Sequence, residues 1–458
     1  MRRRAISAVV PLVVAAGGCA PGPFDDSAWP EPRPLGQDLV TIRPSSDLDD
    51  PPPPRSFDEP QGLISLRDAL AAALLRSPDL AATGYEVRAR EAEALQAGLL
   101  PNPELAFELE NFGGSGAFSG VDAAETTVRL SQLIQLGGKR VEQRRVAEYR
   151  ARNAGWDYEI RRIDVLTKTA ADFITLLAAQ RQLDIATETA ELAQRVYDAV
   201  GQRVDAGKIS PVERAKAQVE LTQANLQRER AVRGVAAARV RLASNWGSAE
   251  PRFDGLSGDL DRVPSPPSFA ALTAQVEQNP DIARWTAETA LRQAEVKLAL
   301  AQGIPDLTVS GGARYLSVID ESVFVAGLSL PLPVFDRNQG GIQAARLRLI
   351  QSGHLEETTR IQVRTALAEA YQSLDTAFVE VRMTRDEVLP SAELAFEAAE
   401  EAFRQGKIGA LSLFDAQRTL FNARRQLVDA LFSYHITVVA SERLIGAPLH
   451  GTSVGDDS

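Results

Sequence analysis

The sequence predicts a mainly α-helical chain that uses one structural unit twice, a β-hairpin followed by a very long coiled-coil helical hairpin. Three observations predict it: motifs that recur about 200 residues apart, alternating strands beside helical runs, and sustained heptads. The recurring pairs are Ser77-Pro78-Asp79-Leu80 with Asn279-Pro280-Asp281-Ile282, Pro103-Glu104-Leu105 with Pro305-Asp306-Leu307, and Gly207-Lys208-Ile209 with Gly406-Lys407-Ile408. Each unit is as large as a domain, so short solenoid repeats are excluded.

The N-terminus has the pattern of a bacterial lipoprotein precursor. Arg2-Arg3-Arg4 precedes an apolar stretch from Ala5 to Ala16, and small residues then lead to Cys19, the one cysteine of the chain. We expect residues 1–18 to be a signal peptide and Cys19 to be acylated, the alternative being an incidental thiol. Stable anchoring needs more than one acyl chain. Ala20 after the cysteine favours the outer membrane, and a lone cysteine excludes an internal disulfide.

Residues 19–62 are expected to form a lipidated, proline-rich extended tether. Eleven of the 26 prolines fall in residues 20–62, which disfavours helices and sheet ladders. The formal charge of −11 disfavours nucleic acid as a partner, because binding DNA or RNA requires a basic surface. Beyond the N-terminus, no apolar run reaches the ~18–20 residues of a membrane-spanning helix.

Short helices and a hairpin open the first unit. Ser65 is expected to cap a helix, with Asp68 in its first turn, and a second helix is predicted from about Asp79 to Leu100. Apolar and polar residues then alternate, which predicts strands at about 104–112 and 124–136. The second unit repeats the alternation at about 306–317 and 322–333.

Each hairpin is followed by a long helical stretch. No proline occurs between Pro103 and Pro211, so residues 139–206 can form one helix of ~100 Å. Gly207 fits a left-handed stop, and Ser210-Pro211 fits the start of the returning helix. The returning helices carry heptad seams: Ala217, Leu221, Ala224, Ala231, Val235, Ala238 and Leu242 in the first unit, and Leu413, Ala416, Leu420, Ala423, Leu427, Ala430 and Tyr434 in the second. We therefore assign residues 63–250 to the first repeat, 251–446 to the second, and 447–458 to a flexible tail.

Four amphipathic strands per chain have a physical consequence. Even small closed barrels need about eight strands, and open sheet edges are not tolerated in a bilayer. If the strands face lipid, three chains would have to share a twelve-strand barrel. The sequence thus predicts a mainly α fold with a membrane β-barrel portion and a periplasmic α-helical tube.

These features resemble the TolC family of outer-membrane efflux channels over nearly all of residues 63–446. The resemblance is carried by Ser-Pro-Asp-Leu (77–80), Leu-Pro-Asn-Pro-Glu-Leu (100–105), Leu-Ser-Gln-Leu-Ile-Gln-Leu-Gly-Gly-Lys-Arg (130–140), the two Gly-Lys-Ile tips, and Ala-Gln-Arg-Thr-Leu-Phe-Asn-Ala (416–423). Glu-Leu-Glu-Asn-Phe (108–112) and Gly-Gly-Lys-Arg (137–140) are most similar to the heavy-metal, CzcC-type branch. The resemblance implies a homotrimer in the outer membrane that reaches into the periplasm and serves an inner-membrane resistance-nodulation-division (RND) pump through a periplasmic adaptor.

The resemblance also implies roles for the ends of the helical hairpins. Gly207, Lys208, Gly406 and Lys407 match the tips that meet the adaptor. Their alternative role is capping, because glycine ends a helix and lysine near a helix C-terminus complements the helix dipole.

Two acids match the family's periplasmic aperture, Glu213 and Asp415. Three copies of Asp415 around a narrow axis would form an anionic ring that favours cations. The alternative is an ordinary acid near a helix N-terminus. Phe403 and Ile408 stand where the family has arginine and tyrosine latch residues.

No constellation in the sequence indicates catalysis, a cofactor or a metal site. The three histidines, His354, His435 and His450, lack metal-ligand spacing. The glycine-rich pieces at 113–116 and 311–312 do not open helices, so no phosphate site is predicted. We expect a non-enzymatic exit duct, and the resemblance implies heavy-metal cations as its cargo. Export of drugs, organic solutes or type I secreted proteins, or a structural coiled-coil lipoprotein without a pore, remain the alternatives.

Overall fold

The computed structural model describes residues 26–45 and 59–449. The signal region 1–18, Cys19 and residues 450–458 lie outside this described part. The first half contains β1 (Gly62–Ile64), α1 (Leu66–Arg76), α2 (Pro78–Ala97), β2 (Glu104–Glu110), β3 (Glu125–Ile134), α3 (Lys139–Asp205) and α4 (Pro211–Ser244). The second half contains β4 (Phe253–Leu256), α5 (Phe269–Thr273), α6 (Pro280–Ala283), α7 (Trp285–Gln302), β5 (Leu307–Leu316), β6 (Glu321–Ser329), α8 (Gln339–Met383), α9 (Leu389–Arg404) and α10 (Ala410–Ile445).

The helix starts follow the sequence signals. The Ser65 hydroxyl accepts a hydrogen bond from the Asp68 amide, and the Asp68 carboxylate accepts one from the Ser65 amide, which completes a capping box. Helix α2 begins at Pro78 behind the Ser77 cap and ends at Ala97. The prediction of this helix is confirmed, although it ends three residues earlier than expected.

Helix α3 is the longest element of the described chain. Its 67 residues correspond to ~100 Å at 1.5 Å per residue, as the absence of proline predicted. The Ser210 side chain caps α4, and Pro211 occupies its first position. Both arms of the first helical hairpin are confirmed.

The corresponding arm of the second hairpin is interrupted. Helices α8 and α9 are joined by a π-helical turn, Thr384–Val388, and Pro390 follows in the first turn of α9. Proline lacks an amide donor and its ring crowds the carbonyl four residues earlier, here that of Asp386. The wider turn accommodates this defect, so the arm remains helical through the proline.

The predicted heptad seams are buried. Ala217, Leu221, Ala224, Ala238 and Leu242 of α4 are buried, as are Leu413, Leu420, Ala423, Ala430 and Tyr434 of α10. Ala231, Val235, Ala416 and Leu427 are half-buried. Small alanines alternate with larger residues along these faces, which lets the helices approach closely.

The four amphipathic strands form one antiparallel sheet in the order β2-β3-β5-β6. The two hairpins are thus joined through β3 and β5, with Val128 opposite Ala313. The prediction of strand to residue 333 is wrong, because β6 ends at Ser329. Pro331 and Pro333 follow and cannot donate ladder hydrogen bonds. A second, two-stranded sheet pairs β1 with β4 in parallel and was not predicted.

The helices pack as a single wall on two levels. Beside the sheet the order is α2-α3-α7-α8, and toward the hairpin ends it is α4-α3-α10-α9. The main apolar core lies between these levels and includes Phe173, Phe253 and Tyr434. In the described part of the chain, no helix is both long and apolar enough to cross a membrane.

Both ends of the described chain pack against this wall. Ala447 and Leu449 are buried in the main core, so the prediction of a flexible tail is wrong for residues 447–449. Residues 26–45 have no helix or strand, as the prolines predicted, but Ala28 and Trp29 are buried against α2 and α3. Apolar contacts and individual side-chain hydrogen bonds hold these segments in place of a regular backbone ladder.

Candidate functional site

The four-stranded sheet has one apolar and one polar face. Leu105, Phe107, Phe324 and Leu328 are on the apolar face and are largely exposed, Phe324 to 91%. The polar face carries two ion-paired arginines. Arg129 contacts Glu108 at 3.0 Å, and Arg314 contacts Glu125 at 2.8 Å and Glu110 at 3.3 Å. One face therefore suits an apolar environment and the other water.

The sheet and both levels of the helix wall are open at their edges. Strands β2 and β6 each pair on one side only within the described chain. The edge helix α4 presents exposed apolar residues at multiples of seven positions, with Arg233 at the place between the last two, and we call them the outward stripe: Val212, Val219, Leu226 and Val240. This stripe lies on the side of α4 opposite the buried Ala217 and Leu221. Helix α4 thus has apolar residues on two opposite sides, one side buried within the chain and the other exposed.

The first helical hairpin ends in a Schellman motif. Gly207 has φ +69°, its amide donates to the Val204 carbonyl at 2.9 Å, and the Lys208 amide donates to the Arg203 carbonyl at 2.9 Å. A left-handed residue is required at this place, so glycine is favoured. The Lys208 side chain is exposed.

The second hairpin ends in the same way. Gly406 has φ +75°, its amide donates to the Phe403 carbonyl at 2.9 Å, and the Lys407 amide donates to the Ala402 carbonyl at 2.9 Å. Lys407 is exposed as well. Capping therefore accounts for both glycines, and both ammonium groups are accessible to solvent at the tips.

The two tips are joined by Arg203. Its guanidinium donates to the Phe403 carbonyl at 2.8 Å and lies 4.6 Å from the Phe403 ring centroid. A second arginine, Arg214, bridges the arms of the first hairpin through the Gly201 carbonyl at 2.9 Å and Asp205 at 2.6 Å. Sequence reasoning missed both arginines, because their acceptors are largely backbone carbonyls, which leave no signature in side-chain patterns.

Glu213 lies in the first turn of α4. Its carboxylate contacts Lys216 at 3.2 Å, and one carboxylate oxygen is buried without a hydrogen-bond partner. Its amide donates to the Ser210 carbonyl at 3.0 Å. In the single chain, Glu213 is an N-terminal helix acid with a neighbouring cation.

Asp415 lies in the second turn of α10, on the side of the helix away from Leu413 and Leu420. Its side chain is 71% exposed and contacts Arg418 at 2.8 Å. This hydrogen bond raises the pKa of Arg418. Glu213 and Asp415 make no contact with each other within the described residues.

Two titratable groups near the C-terminus were not predicted as unusual. Burial raises the pKa of Glu442 to about 7, and its carboxylate accepts a hydrogen bond from the Leu449 amide at 2.9 Å. Burial lowers the pKa of His435, whose Nε2 lies 2.9 Å from the Leu260 carbonyl oxygen. His435 is thus packed in the core. In the described residues, no group of three His, Cys, Asp or Glu side chains could hold a metal ion.

Comparison with known proteins identifies the class. The family model for outer membrane efflux proteins matches residues 69–248 and 272–447, which reproduces the duplication. The cobalt-zinc-cadmium resistance protein CzcC of Cupriavidus metallidurans is 34% identical over 388 residues, 85% of this chain and 91% of CzcC. The pyoverdine export outer membrane protein OpmQ of Pseudomonas aeruginosa is 26% identical over 441 residues, 91% of each chain. The crystal structure of the Campylobacter jejuni CmeC outer membrane channel superposes with a TM-score of 0.70 at 17% identity, covering 83% of this chain and 85% of CmeC.

The family match and the fold together define the class of this protein. The chain belongs to the outer membrane efflux protein family, the TolC family, and is an outer-membrane efflux channel rather than an enzyme. The resemblance seen in the sequence is confirmed.

Proposed function

We propose that three copies of this chain close into one duct, a twelve-strand barrel continued by an α-helical tube, that carries substrates out of the cell. The main observation behind this proposal is that α4 has the exposed, apolar outward stripe on one side and a buried seam on the opposite side. A helix in a closed ring needs a neighbour on each side, and this chain supplies only one of them. A second copy, whose α9 forms the other free edge of the wall, fits the remaining side. Exposed Leu394 on α9 is an apolar partner for the stripe.

The sheet supports the same closure. Twelve strands from three chains would leave no free edge, and the apolar face would meet lipid while the ion-paired face lines the water-filled lumen. Arg129 and Arg314 are each paired with acids, so the lumen wall would carry both signs of charge. A structural coiled-coil protein without a pore would not need a sheet with one apolar face and one ion-paired face.

We propose that the hairpin tips are the end that engages a periplasmic adaptor. Gly207 and Gly406 hold tight turns that expose Lys208 and Lys407, which suits contact with an acidic or carbonyl-rich surface. Near these tips, Asp415 would face the aperture and attract cations, and Glu213 would lie beside it. The adaptor would link the duct to an inner-membrane RND pump.

The proposed cargo is heavy-metal cations. CzcC, at 34% identity, is named for cobalt, zinc and cadmium resistance, and that name supports the proposal. OpmQ is named for pyoverdine export, so an organic solute is the second candidate.

The proposal is tested on protein purified in mild detergent. Native mass spectrometry should give three chains per particle, and the same sample should form channels in a planar bilayer. Particles of one chain that form no channels would refute the duct. Cargo is tested by deleting the gene and measuring growth in zinc, cobalt and cadmium, with an organic solute series as the competing arm.

A further inference from the structure

Residues 26–45, the N-terminal segment, are held by a site on α3 that is built for them. Arg162 and Glu159 are both about 2% exposed and pair at 2.7 Å. The Arg162 guanidinium donates to the carbonyls of the segment: Arg33 at 3.0 Å, Leu35 at 3.0 Å and Gly36 at 3.3 Å. The Glu159 carboxylate accepts the Arg33 amide at 2.7 Å. Without the segment, a buried ion pair would lose most of its partners, so the site requires an occupant.

The position of the segment along α3 is fixed by close backbone approaches. Gly155 faces Ala28 so tightly that a Cβ there would lie 1.9 Å from the Ala28 carbonyl oxygen. Trp29 packs edge-on against Tyr158 with ring centroids 4.7 Å apart. The Ile42 amide donates to the Leu74 carbonyl at 3.0 Å. The segment therefore cannot slide along the helix without losing these contacts.

We call the site on α3 that holds the N-terminal segment the seat. Its distance from the edge of the sheet can be compared with the length of chain that leads to Cys19. Helix α3 begins at Lys139, which is bonded at 2.7 Å to Asp306, the residue before β5, so its first turn lies at the edge of the sheet. Gly155 lies about 24 Å farther along the helix axis. The nine residues from Cys19 to Ala28 span at most about 30–32 Å. An anchor at Cys19 can reach the edge of the sheet with only about two residues to spare.

We propose that the seat on α3 and the short spacer before it set the largest possible distance between the membrane anchor and the helix wall. The inference rests on the acylation of Cys19 expected from the sequence and on the proposed membrane position of the sheet. An anchor tied in this way cannot lie farther from the wall than the spacer allows. The length of residues 20–27, rather than their side chains, is then the feature that matters.

The test uses the full-length, acylated protein in lipid nanodiscs. Deleting Pro21–Phe24 leaves four residues between Cys19 and Ala28, so the two are five residue steps or about 17 Å apart at most, which is too short to span 24 Å. Ala20 is kept next to Cys19 so that sorting is unchanged. The segment should then leave its seat, and peptides covering residues 31–45 should exchange amide hydrogens about tenfold faster or more. Inserting four residues after Phe24 is the matched control and should leave exchange unchanged.

A second variant distinguishes a pull from the membrane anchor from damage caused by the deletion itself. The same deletion combined with Cys19→Ser, behind a signal peptide that needs no cysteine, should keep the slow exchange. Loss of protection in that unanchored form, or full protection in the shortened acylated form, would overturn the inference. If the intact mass showed no acyl chains on Cys19, the premise of the inference would be wrong and the inference would fail. Channel conductance is recorded on the same samples, so a protein that conducts but shows no dependence on spacer length contradicts this inference alone.

Discussion

At the residue scale, Asp415 is a charged side chain with a partner of opposite sign. Its contact with Arg418 is exposed, and solvent screens such ion pairs so that they contribute little, which leaves the carboxylate available to mobile cations. Asp415 is not one of the heptad positions of α10, and its exposure agrees with a place off the coiled-coil seam. Arg418 was not considered, although it follows three residues later, where helical neighbours meet.

We expect Asp415→Asn to lower the cation preference of the channel, because three anionic charges would be lost from the proposed aperture. Arg418→Gln should act in the opposite direction, since it removes the neighbouring positive charge. Reversal potentials in planar bilayers under a salt gradient measure both changes. Equal reversal potentials in the wild type and both variants would mean that neither side chain faces the path of ions.

Glu442 should make the stability of the protein depend on pH near neutrality. Its pKa is raised by burial to about 7 from an ordinary 4.5, so its protonated form favours folding. This contribution is fully present below pH 4.5 and is lost as pH rises through 7. Glu442→Gln mimics the protonated form and should stabilise the protein at pH 8 by at most about 3 kcal/mol, and much less at pH 5.

Thermal unfolding of wild type and Glu442→Gln at pH 5 and pH 8 measures that difference. His435 titrates in the opposite sense, because its lowered pKa favours folding at high pH, but it is present in both proteins and cancels in the comparison. A stabilisation of equal size at both pH values would contradict an ionised, buried Glu442.

At the element scale, the elements with local signals were predicted best. Alternation gave the four strands, and Ser65 and Ser210 gave helix starts, because each depends on neighbours within a few residues. The long stretch without proline gave α3. The π turn at Thr384–Val388 and the pairing of β1 with β4 were missed. The first depends on how a helix absorbs Pro390, and the second on contact between segments about 190 residues apart, which no local pattern encodes.

The turn at Gly207 allows a direct test of backbone strain. Its φ of +69° disfavours any residue with a Cβ, and no atom lies within 4 Å of the site that a Cβ would occupy. Gly207→Ala should therefore weaken the tip by about 1 kcal/mol through backbone conformation alone. Gly234 in α4 is equally uncrowded but helical, so Gly234→Ala should stabilise its helix by about 0.5–1 kcal/mol.

Hydrogen exchange of the amides around each position reports these local changes. We expect faster amide exchange around residue 207 in Gly207→Ala and slower amide exchange around residue 234 in Gly234→Ala. A neutral Gly207→Ala would mean that the turn is rebuilt without its left-handed residue, and the docking proposal for Lys208 would lose its fixed geometry.

At the scale of the whole molecule, the described chain has free edges in its four-stranded sheet and in its helix wall. The sequence predicted the need for other copies from a count of four strands, since neither a barrel nor a bilayer tolerates open edges. It did not reveal the outward stripe of α4, because the inner seam of the same helix gave the stronger heptad signal. The N-terminal segment was likewise missed as a packed element, since Arg162 holds it through backbone carbonyls.

The outward stripe provides the decisive test of assembly. Val219 is exposed at its centre, 53% in the single chain, and would be buried between two chains in the proposed ring. Val219→Glu would place three carboxylates in apolar contacts, and burying a charge without a partner costs several kcal/mol. We expect this variant to run as monomers in native mass spectrometry and to form no channels, while circular dichroism stays helical.

Gln218→Glu adds the same charge one residue earlier, about 100° around α4 and away from the stripe. It is exposed in the single chain and should still assemble and conduct. If Val219→Glu also formed conducting trimers, the outward stripe would not be the contact between copies. The ring would then have to close through the sheet edges β2 and β6 without α4, leaving four exposed apolar side chains per chain facing water along the tube.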